Sequence, residues 1–411
     1  MQYQPRVIDG ELERRLRSAG AVVIEGPKAC GKTASALQIA ASDVRFDTDP
    51  QARAAVDIDP GLMLAGAQPR LLDEWQMAPA LWNHVRRAID DSGGRSGQYV
   101  LTGSATPNDD VAMHSGAGRF SFLPMRSMSL FESGHSSGAL SLRSLMEGSR
   151  PSADETGATL SDVVDWIIVG GWPGLQNMTT SDAAQANRDY LRQMTEVDVT
   201  QVAGGRRDPA RVYRLLQSLA RNVATDVKRK VLAREAETSE PAIDEYLNVL
   251  GRLRIIEDQP AWSPSLKSKA RLARGAKRHL VDPSLAVASL AASPAQLTNE
   301  LEYLGLLFES LVVRDLRVYS QPLDGTVFHY SDNTGLEVDA IVQTPPGWAA
   351  FEVKLNPNKI DDAAVALHRM HSKIDTERWG NALCLGVITA TGYAYERADG
   401  VMVIPIGTLA L

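Results

Sequence analysis

The segment GPKACGKT, residues 26–33, constrains the fold of this chain more than any other feature. It fits the pattern Gly-x-x-x-x-Gly-Lys-Ser/Thr, in which the backbone N–H groups of a loop surround phosphate oxygens. The apolar run AVVIE (21–25) before it predicts a buried strand, and ASALQIAA (34–41) after it predicts the helix that such a loop needs. We therefore expect an α/β domain with a phosphate-binding loop at a helix N-terminus.

The residue types in this loop predict how a bound nucleotide is held. Lys32 would reach the β- and γ-phosphate oxygens, and Thr33 would ligate Mg²⁺. Backbone N–H groups and the positive end of the helix would hold the remaining phosphate charge. The loop residues predicted to contact the nucleotide are Gly26, Pro27, Lys28, Ala29, Cys30, Gly31, Lys32, Thr33 and Ala34.

Two later strands should place further groups at the same site. RLLDEW (70–75) reads as a strand that ends in adjacent acids, so Asp73 would hold Mg²⁺ and Glu74 would polarise the attacking water. In GQYVLTGSAT (97–106), Thr102 or Ser104 could sense the γ-phosphate or position water, because ligands of open parallel sheets bind at the carboxyl ends of the strands. Alternatively, these two hydroxyl groups only cap the next helix.

Five segments in this order give a closer resemblance: GPKACGKT, LLDEWQ, LTGSATP, HSGAGRF and LPMRSMSLFE. They resemble the prokaryotic AAA-type ATPases that carry a C-terminal domain of unknown function. The resemblance implies ATP and Mg²⁺ as ligands. It also implies that Arg119 contacts the nucleotide of its own chain or of a neighbouring subunit, as an arginine finger does. From the residues alone, an Arg beside Gly-rich residues is more often a solvated charge.

The middle of the chain is predicted to be mostly helical. Residues 132–205 read as a linker and a helical connector, and residues 206–292 read as a winged-helix-like domain with the strand-like RIIED (254–258) after its second helix. Residues 201–280 hold 17 Lys and Arg against 9 Asp and Glu, in a chain of net charge −7. Such a segment could be a nucleic-acid surface or a surface that docks on acidic domains.

The second helix of this winged-helix-like domain does not have the residues of a DNA-reading helix. Its N-terminal half carries Glu240, Asp244 and Glu245, where base readout needs Arg, Lys, Asn or Gln. The remaining nucleic-acid option is non-specific phosphate contact, and protein contact is the other use of such a fold. The cations that would make phosphate contacts are Lys267, Lys269, Arg271, Arg274, Lys277 and Arg278.

Residues 293–411 alternate in a way that predicts a third, α/β domain. A long helix is followed by strands around GLEVDAIV and WAAFEVKL, and the turn TPPG (344–347) between them would let Asp339 pair beside Glu352. Glu352 and Lys354 lie two residues apart and therefore on one face of a strand. They could form an ordinary ion pair or part of a metal site.

This C-terminal pattern resembles the PD-(D/E)xK nuclease superfamily. The resemblance implies that Glu309, Asp339 and Glu352 bind Mg²⁺ and that Lys354 assists the attacking water or the developing charge. Carboxylate oxygens are suitable Mg²⁺ ligands, and the metal would activate water for phosphodiester cleavage. The fold of this superfamily also persists in domains that have lost the activity.

Taken together, the predicted fold is α/β: a three-layer P-loop NTPase domain (1–131), the linker and connector, the winged-helix-like domain, and a restriction-endonuclease-like domain (293–411). We expect a Mg²⁺-dependent ATPase coupled to a module that handles DNA or RNA. The alternative is an ATP-dependent switch whose inactive nuclease-like domain binds protein partners. The chain has no run of about 18 apolar residues, the length that a membrane span needs. Its two cysteines, Cys30 and Cys384, fit a reducing compartment. We therefore expect a cytoplasmic location.

Overall fold

A computed structural model describes residues 3–103, 116–153, 157–199, 208–265 and 275–411. The chain forms two compact units. The first consists of Met1–Ser127, Val197–Arg207 and Val249–Ile255, and the second consists of Met128–Glu196, Asp208–Asn248 and Ile256–Leu411. The predicted winged-helix-like segment, 206–292, therefore contributes residues to both units.

The first unit is a parallel α/β domain, as the sequence predicts. Its elements in chain order are α1 (Val7–Leu16), β1 (Ala21–Glu25), α2 (Lys32–Leu37), β2 (Ser42–Arg45), α3 (Pro50–Ile58), β3 (Arg70–Asp73), α4 (Leu81–Asp91), β4 (Tyr99–Gly103) and β5 (Phe120–Pro124). The strands form one sheet in the order β2-β3-β4-β1-β5, and every pairing is parallel. The carboxyl ends of β1, β3 and β4 therefore lie along one edge of the sheet.

The core of the first unit follows from its apolar patterning. In β1, Ala21–Ile24 are buried, as expected for an inner strand covered on both faces. Helix α4 buries Leu81, Trp82, Val85 and Ile89, which recur with helical spacing on one face. The Trp82 ring stacks on Phe120 of β5 at a centroid distance of 4.0 Å. These contacts fix the sheet and α4 as one hydrophobic layer.

Short helices make up the first part of the second unit, except that residues 249–252, at the end of the helix Glu240–Arg252, belong to the first unit. These helices and one short strand are β6 (Leu140–Ser141), α5 (Leu142–Met146), α6 (Leu160–Val169), α7 (Thr180–Gln193), α8 (Pro209–Arg221), α9 (Arg229–Glu235), α10 (Glu240–Arg252), α11 (Pro283–Leu290) and α12 (Pro294–Asn299). Gly170 ends α6 with φ 72°, and a Cβ on Gly171 would lie 2.1 Å from the Met128 carbonyl oxygen. The turn that follows α6 thus requires its two glycines for backbone reasons.

Helices α8, α9 and α10 are followed by a small antiparallel ladder. In it, Ile256 pairs with Leu280 and Gln259 pairs with Lys277, and Thr225 pairs with Arg278 from the other side. The ladder continues toward the C-terminal sheet, because Ala261 forms a parallel bridge with His329. The predicted RIIED strand is not formed: within it only Ile256 makes an isolated bridge, and Arg254 and Ile255 belong to the first unit.

The C-terminal part of the second unit is a mixed sheet with helices packed on it. Its elements are α13 (Leu301–Ser320), β7 (Thr326–Ser331), β8 (Glu337–Thr344), β9 (Gly347–Lys354), α14 (Ile360–Ser372), α15 (Thr376–Trp379), β10 (Cys384–Thr389), β11 (Tyr395–Glu396), β12 (Met402–Pro405) and β13 (Leu409–Ala410). The strand order is β11-β12-β10-β9-β8-β7, with β7, β8 and β9 antiparallel and β9, β10 and β12 parallel. Helix α13 packs on β7, β8 and β9.

Candidate functional site

The phosphate loop lies between β1 and α2, and its backbone depends on small residues. A Cβ on Gly26 would lie 2.2 Å from the Met125 carbonyl oxygen, so a larger residue would displace the backbone at this position. Ala29 and Gly31 both have positive φ values, of 63° and 103°. Helix α2 begins at Lys32. Its free N-terminal N–H groups therefore face the loop, as anion binding requires.

Lys32 is held inside this loop by two carbonyl groups. Its Nζ donates to the Gly26 oxygen at 3.0 Å and to the Pro27 oxygen at 2.8 Å, and the side chain is buried. Phosphate oxygens would replace these two acceptors when a nucleotide binds. The ammonium group is thus already positioned within the loop that the sequence assigns to it.

Thr33 and Asp73 come together at the edge of the sheet. Thr33 Oγ1 donates to Asp73 Oδ1 at 2.8 Å, and Thr102 Oγ1 donates to the same carboxylate oxygen. Asp73 and Thr102 are both buried. Thr102 therefore orients Asp73 in the described structure. Ser104, the other hydroxyl group considered from the sequence, lies outside the described residues.

Glu74 follows Asp73 in a backbone conformation that is unusual for a glutamate. Its φ of 53° and ψ of 45° lie in the left-handed region, and Gln76 Nε2 donates to Glu74 Oε2. Non-glycine residues held in this region are concentrated at functional sites, where the surrounding structure compensates for the strain. The turn directs the chain away from β3 immediately after the buried Asp73.

Two N-terminal residues, Tyr3 and Arg6, contact the phosphate loop and the helix that follows it. Arg6 Nη1 donates to the Cys30 oxygen at 2.8 Å, and Arg6 Nη2 donates to the Arg126 oxygen at 3.0 Å. The Tyr3 hydroxyl lies 2.9 Å from Ser35 Oγ, and burial raises the pKa of Tyr3 above its usual range. Arg6 thus supports the loop directly, and Tyr3 contacts the helix that follows it.

Two charged contacts to the loop come from distant parts of the chain. Lys28 Nζ lies 2.6 Å from Asp198 Oδ1, and Arg254 forms an ion pair with Glu25, the last residue of β1. Arg254 itself has φ 58°. No local motif in the sequence links Asp198 or Arg254 to the loop, because both residues lie far along the chain.

Arg119 lies at the other end of the sheet. The Ala21 N–H donates to the Arg119 oxygen at 3.1 Å, which places Arg119 at the start of β1, whereas the phosphate loop follows the end of β1. Five residues of strand separate the two ends by roughly 13 Å. Arg119 Nε also pairs with Asp90 at 2.7 Å. This position does not fit a contact with the chain's own nucleotide, and a contact with a neighbouring subunit stays a prediction.

The four residues singled out in the C-terminal part lie close together. Strands β8 and β9 pair antiparallel with Ala340 opposite Phe351, one residue from Asp339 and Glu352. Lys354 Nζ lies 2.5 Å from Glu352 Oε2 and 3.2 Å from Asp339 Oδ2, and the Val353 N–H donates to Asp339 Oδ2 at 2.9 Å. The predicted Glu-x-Lys ion pair is therefore present, and Asp339 joins it.

A fifth residue, Lys277, connects Glu309 to this group. Its Nζ lies 2.6 Å from Glu309 Oε1 and 3.5 Å from Asp339 Oδ1. Lys277 was predicted to be a surface cation for nucleic-acid phosphate, and this prediction is wrong, because the side chain is only 8% exposed and its ammonium faces two carboxylates. We call these five residues the carboxylate cluster: Lys277, Glu309, Asp339, Glu352 and Lys354.

Burial and charge shift the pKa values of the carboxylate cluster. Burial, together with the Asp339 charge, raises the pKa of Glu309 to about 8 and that of Glu352 to about 8. Burial also acts to raise the pKa of Asp339, but Lys277, Lys354 and the Val353 N–H outweigh it and lower this pKa. The carboxylates keep the pKa values of both lysines above their usual range despite burial. Asp339 is thus the most acidic member.

The described surface near the carboxylate cluster is a cleft of about 520 Å³, lined in part by Asp339, Glu352, Lys354, Lys359 and Arg369. Within the described ranges, no group of three or more His, Cys, Asp or Glu side chains has an arrangement that could hold a metal ion. The predicted Mg²⁺ set of Glu309, Asp339 and Glu352 stays a prediction, and in the described structure these carboxylates pair with Lys277 and Lys354.

Other predictions for the basic segment have mixed outcomes. Arg278 forms an ion pair with Asp258, and Lys267, Lys269, Arg271 and Arg274 lie outside the described residues. On α10, Glu240 and Glu245 are exposed, and Asp244 pairs with Arg229 at 2.9 Å, so the helix presents acids as predicted.

Among the described residues, no helix has the length and apolar character to cross a membrane.

Three segments of the chain match protein families. Residues 18–133 match the family described as AAA domain. Residues 160–296 and 304–409 match two families described as domains of unknown function, DUF8612 and DUF4143. No curated protein matches the chain.

Several solved structures are distantly similar to the chain. A Walker-type ATPase of Pyrococcus abyssi is 11% identical, with 69% of this chain and 94% of that chain covered and a TM-score of 0.40. AMPPCP-bound DnaA from Aquifex aeolicus is 13% identical, with coverages of 61% and 89% and a TM-score of 0.26. A signal transduction ATPase with a tetratricopeptide repeat sensor from Pyrococcus horikoshii is 13% identical, with coverages of 78% and 50% and a TM-score of 0.20. Similarity at this level does not carry a function from one protein to another.

The phosphate loop, the parallel sheet that carries it and the family match agree on the first unit. Lys32 is positioned within the loop, and Thr33 and Asp73 meet at the edge where parallel sheets bind ligands. Residues 18–133 therefore form a P-loop domain that matches the AAA domain family, in a chain whose later segments match domains of unknown function.

Proposed function

We propose that this protein is a Mg²⁺-dependent ATPase. The observation that carries the proposal is the 2.8 Å hydrogen bond between Thr33 Oγ1 and Asp73 Oδ1, which joins the start of α2 to the end of β3. Mg²⁺ in nucleotide sites typically takes one or two protein oxygens and completes its shell with phosphates and water. A hydroxyl and a carboxylate at this spacing fit that requirement. When bound, the metal would neutralise charge on the phosphate oxygens.

The chain's own residues have distinct roles in this proposal. Lys32 exchanges its two carbonyl acceptors for β- and γ-phosphate oxygens, and the N–H groups at the start of α2 bind the remaining oxygens. Thr102 holds the Asp73 carboxylate in one orientation. Glu74, directed by its left-handed backbone, accepts a proton from the attacking water.

Nucleotide binding tests the role of Lys32. We expect Lys32→Ala to lose binding of a fluorescent ATP analogue, because the substitution removes the ammonium group that lies inside the loop beside the Gly26 and Pro27 carbonyl groups. The matched control is Arg87→Ala on α4, whose side chain is 70% exposed and pairs with Asp91 at the surface. Equal affinity of the Lys32→Ala and control proteins for ATP would contradict the proposal.

For the C-terminal part, we propose a nuclease-like fold. The support is the order of helix, three antiparallel strands, helix and strand, with Glu309 on α13, Asp339 on β8, and Glu352 and Lys354 on β9 meeting around one point. For the middle part, three helices and a ladder support a winged-helix-like arrangement. The acids on α10 support protein contact over base readout.

Between a nuclease and an inactive interaction module, we favour the interaction module. The specific observation is Lys277, whose ammonium lies between two of the three carboxylates that a nuclease would use for metal. The test is incubation of the purified protein with DNA and RNA, in Mg²⁺ or Mn²⁺, with and without ATP. We expect no cleavage. Cleavage that disappears in Glu352→Ala and Lys354→Ala, with ATP hydrolysis retained, would establish the nuclease instead.

A further inference from the structure

One of the two cations in the carboxylate cluster, Lys277, comes from outside the C-terminal family match. Residues 304–409 match one family and include all three carboxylates, whereas Lys277 belongs to the preceding match, 160–296. Lys277 Nζ is 2.6 Å from Glu309 and 3.5 Å from Asp339, so it occupies the space between them. A Mg²⁺ ion would need oxygens at about 2.1 Å in that space.

Lys277 is fixed in this position by its backbone. Its N–H donates to the Gln259 oxygen at 3.0 Å and its own oxygen accepts from the Gln259 N–H at 2.9 Å. The Gln259 side chain is buried. Its Nε2 donates to the backbone carbonyl oxygen of Asp339 at 2.9 Å and to that of Phe328 at 3.0 Å. The ladder therefore anchors Lys277 directly to the strand that carries Asp339.

Every carboxylate of the carboxylate cluster is paired with an ammonium group without a metal. Lys354 pairs with Glu352 and Asp339 from the cleft side, and Lys277 pairs with Glu309 and Asp339 from the interior. Two ammonium groups thus face the three carboxylates. A divalent ion would add two positive charges to a cluster that has two already, which burial makes costly.

We propose that Lys277 is a built-in replacement for a divalent metal ion, which closes the carboxylates of the C-terminal domain to metal and links the middle segment to that domain. This inference deepens the proposed inactive, nuclease-like domain and rests on that proposal only for the fold. The predicted consequence is specific. Removal of the Lys277 ammonium opens a site for one Mg²⁺ or Mn²⁺ ion between Glu309, Asp339 and Glu352.

The experiment titrates the full chain with Mn²⁺ in the absence of nucleotide. Binding is measured as the loss of the electron paramagnetic resonance signal of the free ion. All proteins carry Asp73→Asn, so the site in the first unit does not contribute and a failure of the ATPase proposal does not affect the result. We expect the Asp73→Asn protein to bind no Mn²⁺ in the C-terminal domain and the added Lys277→Met to gain one equivalent. A further Asp339→Asn should abolish the gain, and the neighbouring Arg278→Met should not produce it.

Unfolding measurements keep the test decisive if Lys277→Met is unstable. We expect Mn²⁺ to raise the unfolding midpoint of Lys277→Met and to leave that of the Asp73→Asn parent unchanged. Glu309→Gln should recover part of the stability lost in Lys277→Met, because it removes the carboxylate left without its cation. The proposal is overturned if the parent already binds Mn²⁺ in a manner that Glu352→Gln abolishes, or if Lys277→Met neither binds Mn²⁺ nor is stabilised by it.

Discussion

Arg314 lies between two fully buried carboxylates, those of Asp282 and Asp315. Replacing Arg314 by methionine would remove the guanidinium group that pairs with both. Arg314 Nη1 donates to Asp282 at 3.0 Å, and Arg314 Nε and Nη2 donate to Asp315 at 2.9 and 2.7 Å. The side chain of Arg314 is 4% exposed and those of the two aspartates are 0% exposed. The substitution keeps most of the apolar volume and deletes the charge.

The expected loss is large because the aspartates hold other parts of the fold. Asp282 accepts from the Gly171 N–H at 2.9 Å, and Asp315 accepts from the Leu130 N–H at 3.0 Å. Removing one member of a buried ion pair typically costs about 3–5 kcal/mol. Burial raises the pKa of Asp315, so this carboxyl can take up a proton once the guanidinium is gone, and the loss should lie toward the lower end of that range.

The assay is urea unfolding, monitored by hydrogen exchange in peptides from the second unit. A single global signal would combine the unfolding of the two units, so it would not isolate the effect of the substitution. The control is Arg221→Met, whose guanidinium is 64% exposed and lies 3.5 Å from Glu235. We expect the control to change the free energy of unfolding by less than about 1 kcal/mol. An Arg314→Met protein that loses less than about 1 kcal/mol would refute the assignment of Arg314 as the charge that holds this core.

Two further predictions concern the phosphate loop. Gly26→Ala should abolish binding of a fluorescent ATP analogue, because the added Cβ would lie 2.2 Å from the Met125 oxygen, whereas Gly10→Ala, with no atom within 4 Å of its Cβ, should bind normally. Arg254→Gln should change ATP affinity several-fold by releasing Glu25 at the end of β1, as measured by the same titration. Unchanged affinity in Arg254→Gln would show that this ion pair serves only stability.

The fold of the first unit was predictable because its signals are local. Inner strands of a parallel sheet are continuous apolar runs, as in AVVIE, and the phosphate loop is a short pattern between a strand and a helix. The meeting of Thr33 and Asp73 then follows from parallel strands that end at one edge. The antiparallel placement of Asp339 beside Glu352 was predictable for the same reason, since a tight turn joins the two strands.

The contacts between distant segments were not predictable. The basic residues around Lys277 in the sequence predict a surface cation. In the structure its backbone pairs with Gln259 and its side chain is buried. Arg254 and Asp198 reach the phosphate loop from segments with no motif. Arg119 lies at the wrong end of the sheet for its own nucleotide because of the register of β5 against β1, which the segment itself does not encode.

Single-turnover hydrolysis of ATP by Glu74→Gln tests the central claim most directly. The substitution keeps the size of the side chain and removes the proton acceptor next to Asp73. We predict that Glu74→Gln binds ATP and Mg²⁺ with wild-type affinity and cleaves the bound ATP about 10²- to 10⁴-fold more slowly, the range that general-base catalysis supplies. Wild-type cleavage by Glu74→Gln would contradict the account of this site.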